Sequence, residues 1–180
     1  LKKKAEVGII GGNLLNKDNT TSDPYGKFYL IPEVFRFLFF AKKAKEKLTG
    51  TINEVDWVSG GYMLTRRDLF EQNSGFDEHF FMYIEDMELC YRLKMAGKAV
   101  YYYELAKARH VGQGSSNRTF AIVNIFRGIK YFYKKHRPSH EYFVVQLLLF
   151  MKALGSYTAG LVTGNTYLRL TYSQAIKVLI

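Results

Sequence analysis

The sequence predicts an α/β domain followed by an α-helical tail, on three observations. Apolar runs at 6–15 and 99–110 carry the length and β-branched or aromatic content of buried strands. Between them lie helical patterns with recognisable ends, Pro32 at a first helical position and Gly97 just past a last one. Beyond Asn117 every pattern is helical. The domains are therefore expected at 1–116 and 117–180. With 180 residues, 48% hydrophobic and 23% charged, the chain has enough apolar material for a real core and is not of the disordered class.

Taken in order, residues 6–15 predict a strand, and 16–27 ("NKDNTTSDPYGK") are loop chemistry. Residues 32–48 predict a helix, aromatic early and lysine-rich late, with Gly50 behind it; cations suit a helix C-terminus. Residues 54–65 read as two strand pieces broken at Gly60-Gly61, where glycines signal a bulge or a close approach. A short helix at 66–72 closes on Asn73-Ser74-Gly75. A third helix spans 85–96, then one or two strands over 99–110 and a glycine-serine loop over 111–117. The tail divides into helices at 118–136, from 141 to about 155, and onward to Ile180, with a break at Pro138.

The formal net charge is +10, which favours anionic partners such as nucleic acid, an anionic membrane face or phosphorylated substrates. The 14 Tyr and 14 Phe suit a protein that handles sugars or meets lipid headgroups. No DNA- or RNA-binding motif accompanies the charge, so nucleic acid is the weakest of these partners. One cysteine, Cys90, excludes an internal disulfide and a multi-cysteine metal site.

The segment "GFDEHFFMYIEDMELCYRLKMAG", 75–97, sets two acidic pairs around an aromatic run. On the helix at 85–96, Asp86 shares a face with Leu89, Cys90 and Leu93, whereas Glu85 shares one with Glu88 and Arg92. Asp86 is thus expected to point inward at the helix start and Glu85 to lead a polar face carrying a Glu88–Arg92 pair. Spacing alone leaves two roles open for Asp86, a helix cap or a catalytic carboxylate.

The stretch from Val55 to Ser116, "VDWVSGGYMLTRRDLF" through "GFDEHFFMYIEDMELCYRLKMAGKAVYYYELAKARHVGQGSS", resembles family 2 glycosyltransferases, in particular the rhamnosyltransferase-like branch of bacterial polysaccharide synthesis. The likeness extends more weakly to "VGIIGGNLLN" near the start. It implies the C-terminal half of a GT-A domain and an inverting transfer from a nucleotide-diphosphate sugar donor to a saccharide or polyprenyl-diphosphate-linked acceptor. Asp86 matches the general base that takes the acceptor hydroxyl proton, and Glu85 its structural or acceptor-contacting neighbour. Trp57, Ser59, Gly60 and Gly61 match the floor of the acceptor site, and Asp77 and Glu78 positions that meet acceptor hydroxyls. A buried strand with a bulge and a turn after Gly75 are the alternative readings of those two groups. Glu88 stands where an aspartate is common, with the charge kept.

By the same resemblance His110 is a ligand of Mg²⁺ or Mn²⁺ on the donor diphosphate, with Gly112, Gly114, Ser115 and Ser116 closing over the phosphates. Imidazole suits Mn²⁺ better than Mg²⁺; read without the resemblance, His110 is an ordinary strand-end histidine. The expected Asp-X-Asp and the opening strand for the nucleotide base are not found, since Asp18 and Asp23 have the wrong spacing. The chain is accordingly expected to be a piece of a longer enzyme, inactive alone. A catalytically inactive remnant or an interaction module is the alternative.

Residues 142–162 are the most apolar stretch, and "KYFYKKHRPSH" just before them mixes aromatic and basic residues, as an anionic interface attracts. Gln146, Lys152 and Gly155-Ser156 favour a helix lying on a membrane over one spanning it. A soluble helical subdomain is the other reading. The expected location is cytoplasmic, peripheral on the inner face of the cell membrane; a homo-oligomer stays compatible with the sequence.

Overall fold

The computed structural model describes residues 6–22, 24–40, 48, 51–109 and 117–180. These form two compact units. The first has its described residues within 1–28, 45–79 and 85–114, the second within 29–44, 80–84 and 115–180.

The first unit is mixed α/β. Strands β1 (Val7–Leu15) and β6 (Ala99–Arg109) run parallel in the middle of a four-stranded sheet. Two short antiparallel strands flank them, β3 (Ile52–Glu54) on β6 and β5 (Met63–Thr65) on β1. Helix α2 (Arg67–Gln72) follows β5, and helix α3 (Glu85–Met95) packs on β1, β6 and a further strand, β4 (Trp57–Val58). Strand β4 pairs with β2 (Tyr25–Gly26) in a separate ribbon. Ile9, Val100 and Tyr102 of the central strands and Met87, Leu89, Cys90 and Leu93 of α3 are buried, which is why the central strands read as near-continuous apolar runs.

Glycine positions the site. A Cβ on Gly11 would lie 2.4 Å from Val58 Cβ, and one on Gly12 would lie 2.3 Å from the Tyr62 ring. Their bare backbones let the 57–62 segment lie directly against β1. The β1–β6 register shifts at the same place: Gly12 faces Tyr103 but Asn13 faces Lys107, so β6 bulges over 104–106.

In the second unit, α4 (Arg118–His136), α5 (Ser139–Val162) and α6 (Thr166–Leu179) pack on one another, and α1 (Ile31–Phe39) packs on α5. Asn117 caps α4 by accepting the Phe120 N–H at 2.8 Å, and Asn165 caps α6 by accepting that of Leu168 at 3.1 Å. Gly164, at φ +69°, makes the left-handed turn between α5 and α6. At the other end of this antiparallel hairpin, Lys130 and Gln146 donate to the terminal carbonyls of α6.

Several boundaries differ from the sequence expectation. Helix α1 ends at Phe39, with Phe40 extended, rather than reaching Leu48; the lysines at 42–47 lie outside the described residues. The Gly60-Gly61 break is a 3₁₀ turn over Gly60–Tyr62 rather than a bulge, and the strand pieces around it join different sheets. The 16–27 loop contains β2. Helix α5 runs straight through Gly155, whose surroundings are open, and stops only at the Gly164 turn.

Candidate active site

The acidic pair opens α3. Tyr83 and Ile84, immediately before it, both have left-handed backbones, at φ +69° and +75°. For a β-branched residue this is a real outlier. Glu85 and Asp86 are then the first two helical residues. Asp86 is therefore inside the helix, not at the usual capping position before it. Its Oδ1 accepts the Met87 N–H at 2.8 Å, meeting one of the unpaired amides of the first turn. Its Oδ2 accepts the Gly60 N–H at 2.9 Å.

The Gly60 end of this contact is built from local chemistry. The Ser59 N–H donates to Pro24 O at 2.8 Å, and its Oγ accepts the Gly61 N–H at 3.3 Å, which starts the 3₁₀ turn. The Gly60 amide is left pointing at Asp86, and a Cβ on Gly60 would stand 3.4 Å from Asp86 Cβ. Trp57 is half-buried, its Nε1–H donating to Lys27 O at 2.8 Å. Thus Gly60 meets Asp86 directly, with Ser59 and Gly61 shaping the turn on either side of it and Trp57 in the strand just before.

Asp77 and Glu78 have different settings. Asp77 accepts the His79 N–H at 2.9 Å and meets His79 Nδ1 at 2.8 Å, forming a local turn, while Glu78 is exposed. Both turn formation and hydroxyl contact had been open for this pair; the turn is what the backbone uses. His110, Gly112, Gly114, Ser115 and Ser116 lie outside the described residues.

The two acids are electrostatically unequal. Burial raises the Asp86 pKa above its ordinary value, opposed by the two amide hydrogen bonds. Glu85 is pushed up to about 7, first by burial and then by the neighbouring Asp86 charge. Its Oε2 is buried without a hydrogen-bond partner among the described residues. Glu85 leads the polar stripe of α3, and burial partly withdraws it from water. Glu88 departs further: its pair with Arg92 forms as expected, but Glu88 is fully buried. The stripe is polar in composition, with Glu88 fully buried between the half-buried Glu85 and Arg92. Burial thus makes both acids harder to ionise than free carboxylates, and Glu85 holds its proton to about neutral pH.

Among the described residues no cluster of three or more His, Cys, Asp or Glu side chains is placed to hold a metal. These residues do not by themselves fit a Mg²⁺ or Mn²⁺ centre.

Sequence reasoning missed the left-handed pair Tyr83-Ile84 and the Ser59-capped turn. Nothing in the sequence signals the first, since neither residue type favours that conformation. Ser before Gly-Gly was a usable signal for the second.

Two comparisons bear on this geometry. Over 66 residues the chain is 42% identical to rhamnosyltransferase WbbL of Escherichia coli K12, covering 37% of this chain and 25% of that protein. Over 74 residues it is 40% identical to the N-acetylglucosaminyl-diphospho-decaprenol L-rhamnosyltransferase of Mycobacterium tuberculosis, covering 41% of this chain and 24% of that protein. Part of this chain is related to rhamnosyltransferases. The chain spans about a quarter of the length of the curated relatives it matches. No family model matches it.

Proposed function

We propose that this chain is the acceptor-side, catalytic-base part of an inverting glycosyltransferase of GT-A type in cell-surface polysaccharide synthesis. The donor would be a nucleotide-diphosphate sugar and the acceptor a lipid-linked saccharide; the name of the mycobacterial relative specifies such an acceptor. The observation that carries the reading is the Asp86 carboxylate, half-buried at the start of α3 and oriented by the amides of Gly60 and Met87. Each carboxylate oxygen spends one lone pair on an amide and has a second for an incoming hydroxyl.

In this reading Asp86 accepts the acceptor O–H proton as that oxygen bonds to the anomeric carbon and the nucleotide diphosphate leaves from the opposite face. The proton moves late, when the oxygen has become acidic, so a carboxylate is a sufficient base. Glu85, still protonated below about pH 7, keeps a second negative charge away from the base. Trp57 and the 59–61 turn would floor the acceptor, with Asp77 and Glu78 at its hydroxyls. His110 would contribute to a divalent cation only with ligands from elsewhere in the enzyme, and no step is assigned to that ion.

Asp86→Asn in the intact enzyme should lower turnover by roughly 10²–10⁴-fold with folding and donor binding unchanged. Normal turnover would sink the reading.

The second unit supplies a membrane contact in the same proposal. Helix α5 is long and apolar enough to cross a bilayer by length and composition, and most of its apolar stretch is not buried. Val145, Leu149 and Ala153 face the helical core, while Phe143, Leu147, Met151, Leu154 and Leu161 are exposed at helical spacing. Phe35, Phe37 and Phe39 of α1, which packs on α5, are exposed as well. This apolar surface, with Lys134 and Lys135 exposed at the end of α4, suits a helix lying in an anionic cytoplasmic interface.

A further inference from the structure

Within the α/β unit, strand β1 is apolar on both faces, and only one of them is covered. Ile9 is fully buried, whereas its neighbour Ile10, which points the other way, is 37% exposed. The covered face is that of Ile9 and Gly11, where Val58 of β4 lies against the strand and α3 packs on both.

The ladder registers give the composition of the other face. Tyr101, Ile10 and Leu64 lie abreast on β6, β1 and β5, and Ile52, Tyr103 and Gly12 form the next row on β3, β6 and β1. Leu64 is 71% exposed and Ile52 61%. The two tyrosines are half-buried, and the Tyr62 ring fills the space over bare Gly12. Apolar and aromatic surface therefore reaches from one edge strand of the sheet to the other.

A strand with one face in water alternates apolar and polar residues, and "VGIIGGNLL" does not. Parallel neighbours such as β1 and β6 are joined by helical crossovers, so their sheets carry helices over both faces. Here α3 supplies one such layer. A bilayer suits the opposite face poorly, since β3 and β5 are sheet edges whose unpaired amides and carbonyls find no partners in lipid. The matched relatives are about four times the length that this chain spans in them, which leaves ample chain to form a second layer.

We propose that the Ile10 face of the sheet receives an amphipathic helical layer from the part of the enzyme outside this chain, its apolar stripe laid against Ile10, Leu64 and Tyr101. This rests on the reading of the chain as part of a longer enzyme, and not on the role of Asp86.

Thiol reactivity reads the cover directly, because the native Cys90 is fully buried. Leu64→Cys in this chain should react with iodoacetamide at pH 8 nearly as fast as in urea. In the intact enzyme the same thiol, followed by mass spectrometry of its peptide, should react on the order of 100-fold more slowly. Arg67→Cys, at an exposed position of α2, should react alike in both. Equal rates for Leu64→Cys in chain and enzyme overturn the proposal. So does slow reaction in the chain alone with a dimeric mass by light scattering, which would make a second copy the occupant, and so does protection that needs phosphatidylglycerol vesicles. Should Leu64→Cys fail to fold, Ile52→Cys on the opposite edge strand carries the same comparison. Sugar transfer by this chain alone would overturn the proposal together with the reading it rests on. Normal turnover of the Asp86→Asn enzyme would remove only the catalytic base and leave these rates as they are.

Discussion

The Nε–H of Arg92 lies 2.9 Å from each carboxylate oxygen of Glu88, one helical turn away, with Glu88 fully buried. The same guanidinium donates to the carbonyls of Asn73 and Gly75, the latter at 2.6 Å. One buried ion pair therefore ties the α2–α3 connection to the helix that carries the acidic pair. Removing one partner of such a pair leaves an uncompensated buried charge. Glu88→Leu should cost about 3–5 kcal/mol, read as a lower urea midpoint at pH 7; an unchanged midpoint would show that Arg92 is held by the carbonyls alone.

Glu85 makes stability depend on pH in the less common direction. Its folded pKa, about 7, lies above the ordinary glutamate value of 4.5, so the folded state binds the extra proton between those limits. Stability is then fully present below about pH 4.5 and is lost as pH rises through 7. For a side chain still partly in water the discounted contribution is roughly 1–2 kcal/mol. Glu85→Gln should flatten the stability profile between pH 5 and 8 and make the protein more stable than wild type at pH 8. A parallel profile would count against the buried, protonated glutamate.

Cys90 is fully buried on α3 and its thiol is pushed up to about 12 by burial. It should stay unreacted with iodoacetamide at pH 8 in the native protein and react promptly in urea. Labelling of the native state at the rate of the unfolded chain would mean that α3 opens readily.

The two faces of α5 should separate in mutagenesis. Phe143→Ser with Leu147→Ser and Met151→Ser should leave thermal stability nearly unchanged, because these side chains are exposed. The triple variant should lose flotation with phosphatidylglycerol vesicles. Leu149→Ala, on the buried face, should instead cost about 2–5 kcal/mol. Wild-type protein that floats with neither anionic nor neutral vesicles would remove the membrane reading.

Much of the frame was legible because it is periodic. The apolar runs of β1 and β6, the helix from Glu85, and the breaks at Pro138 and Gly97 each follow from local pattern. The Glu88–Arg92 pair was legible from spacing; its burial was not, since burial depends on what packs above it. Gly155 was read as a break because its cost is local, whereas α5 is held by packing along its length. The segment 57–65 was hardest, since its short strands are assigned by partners distant in sequence. At the acidic pair, the inward direction of Asp86 came from the helical wheel, but its Gly60 amide and the left-handed approach through Tyr83-Ile84 are tertiary.

The parallel pairing of β1 with β6, from Val7 opposite Ala99 to Leu15 opposite Arg109, also dictates an order of events during synthesis. The central ladder cannot close until the chain through β6 has followed β1 out of the ribosome, and until then the glycine-rich β1 lacks its parallel partner. Non-local pairing of this kind is slow and exposes strand edges to other chains. Helices α5 and α6, joined by the short turn at Gly164, pack on each other through contacts much closer in sequence. Early termination before Ala99 would thus release an aggregation-prone chain with an open β1 edge, so expression yield should depend more on completing β6 than on any residue of the acidic site.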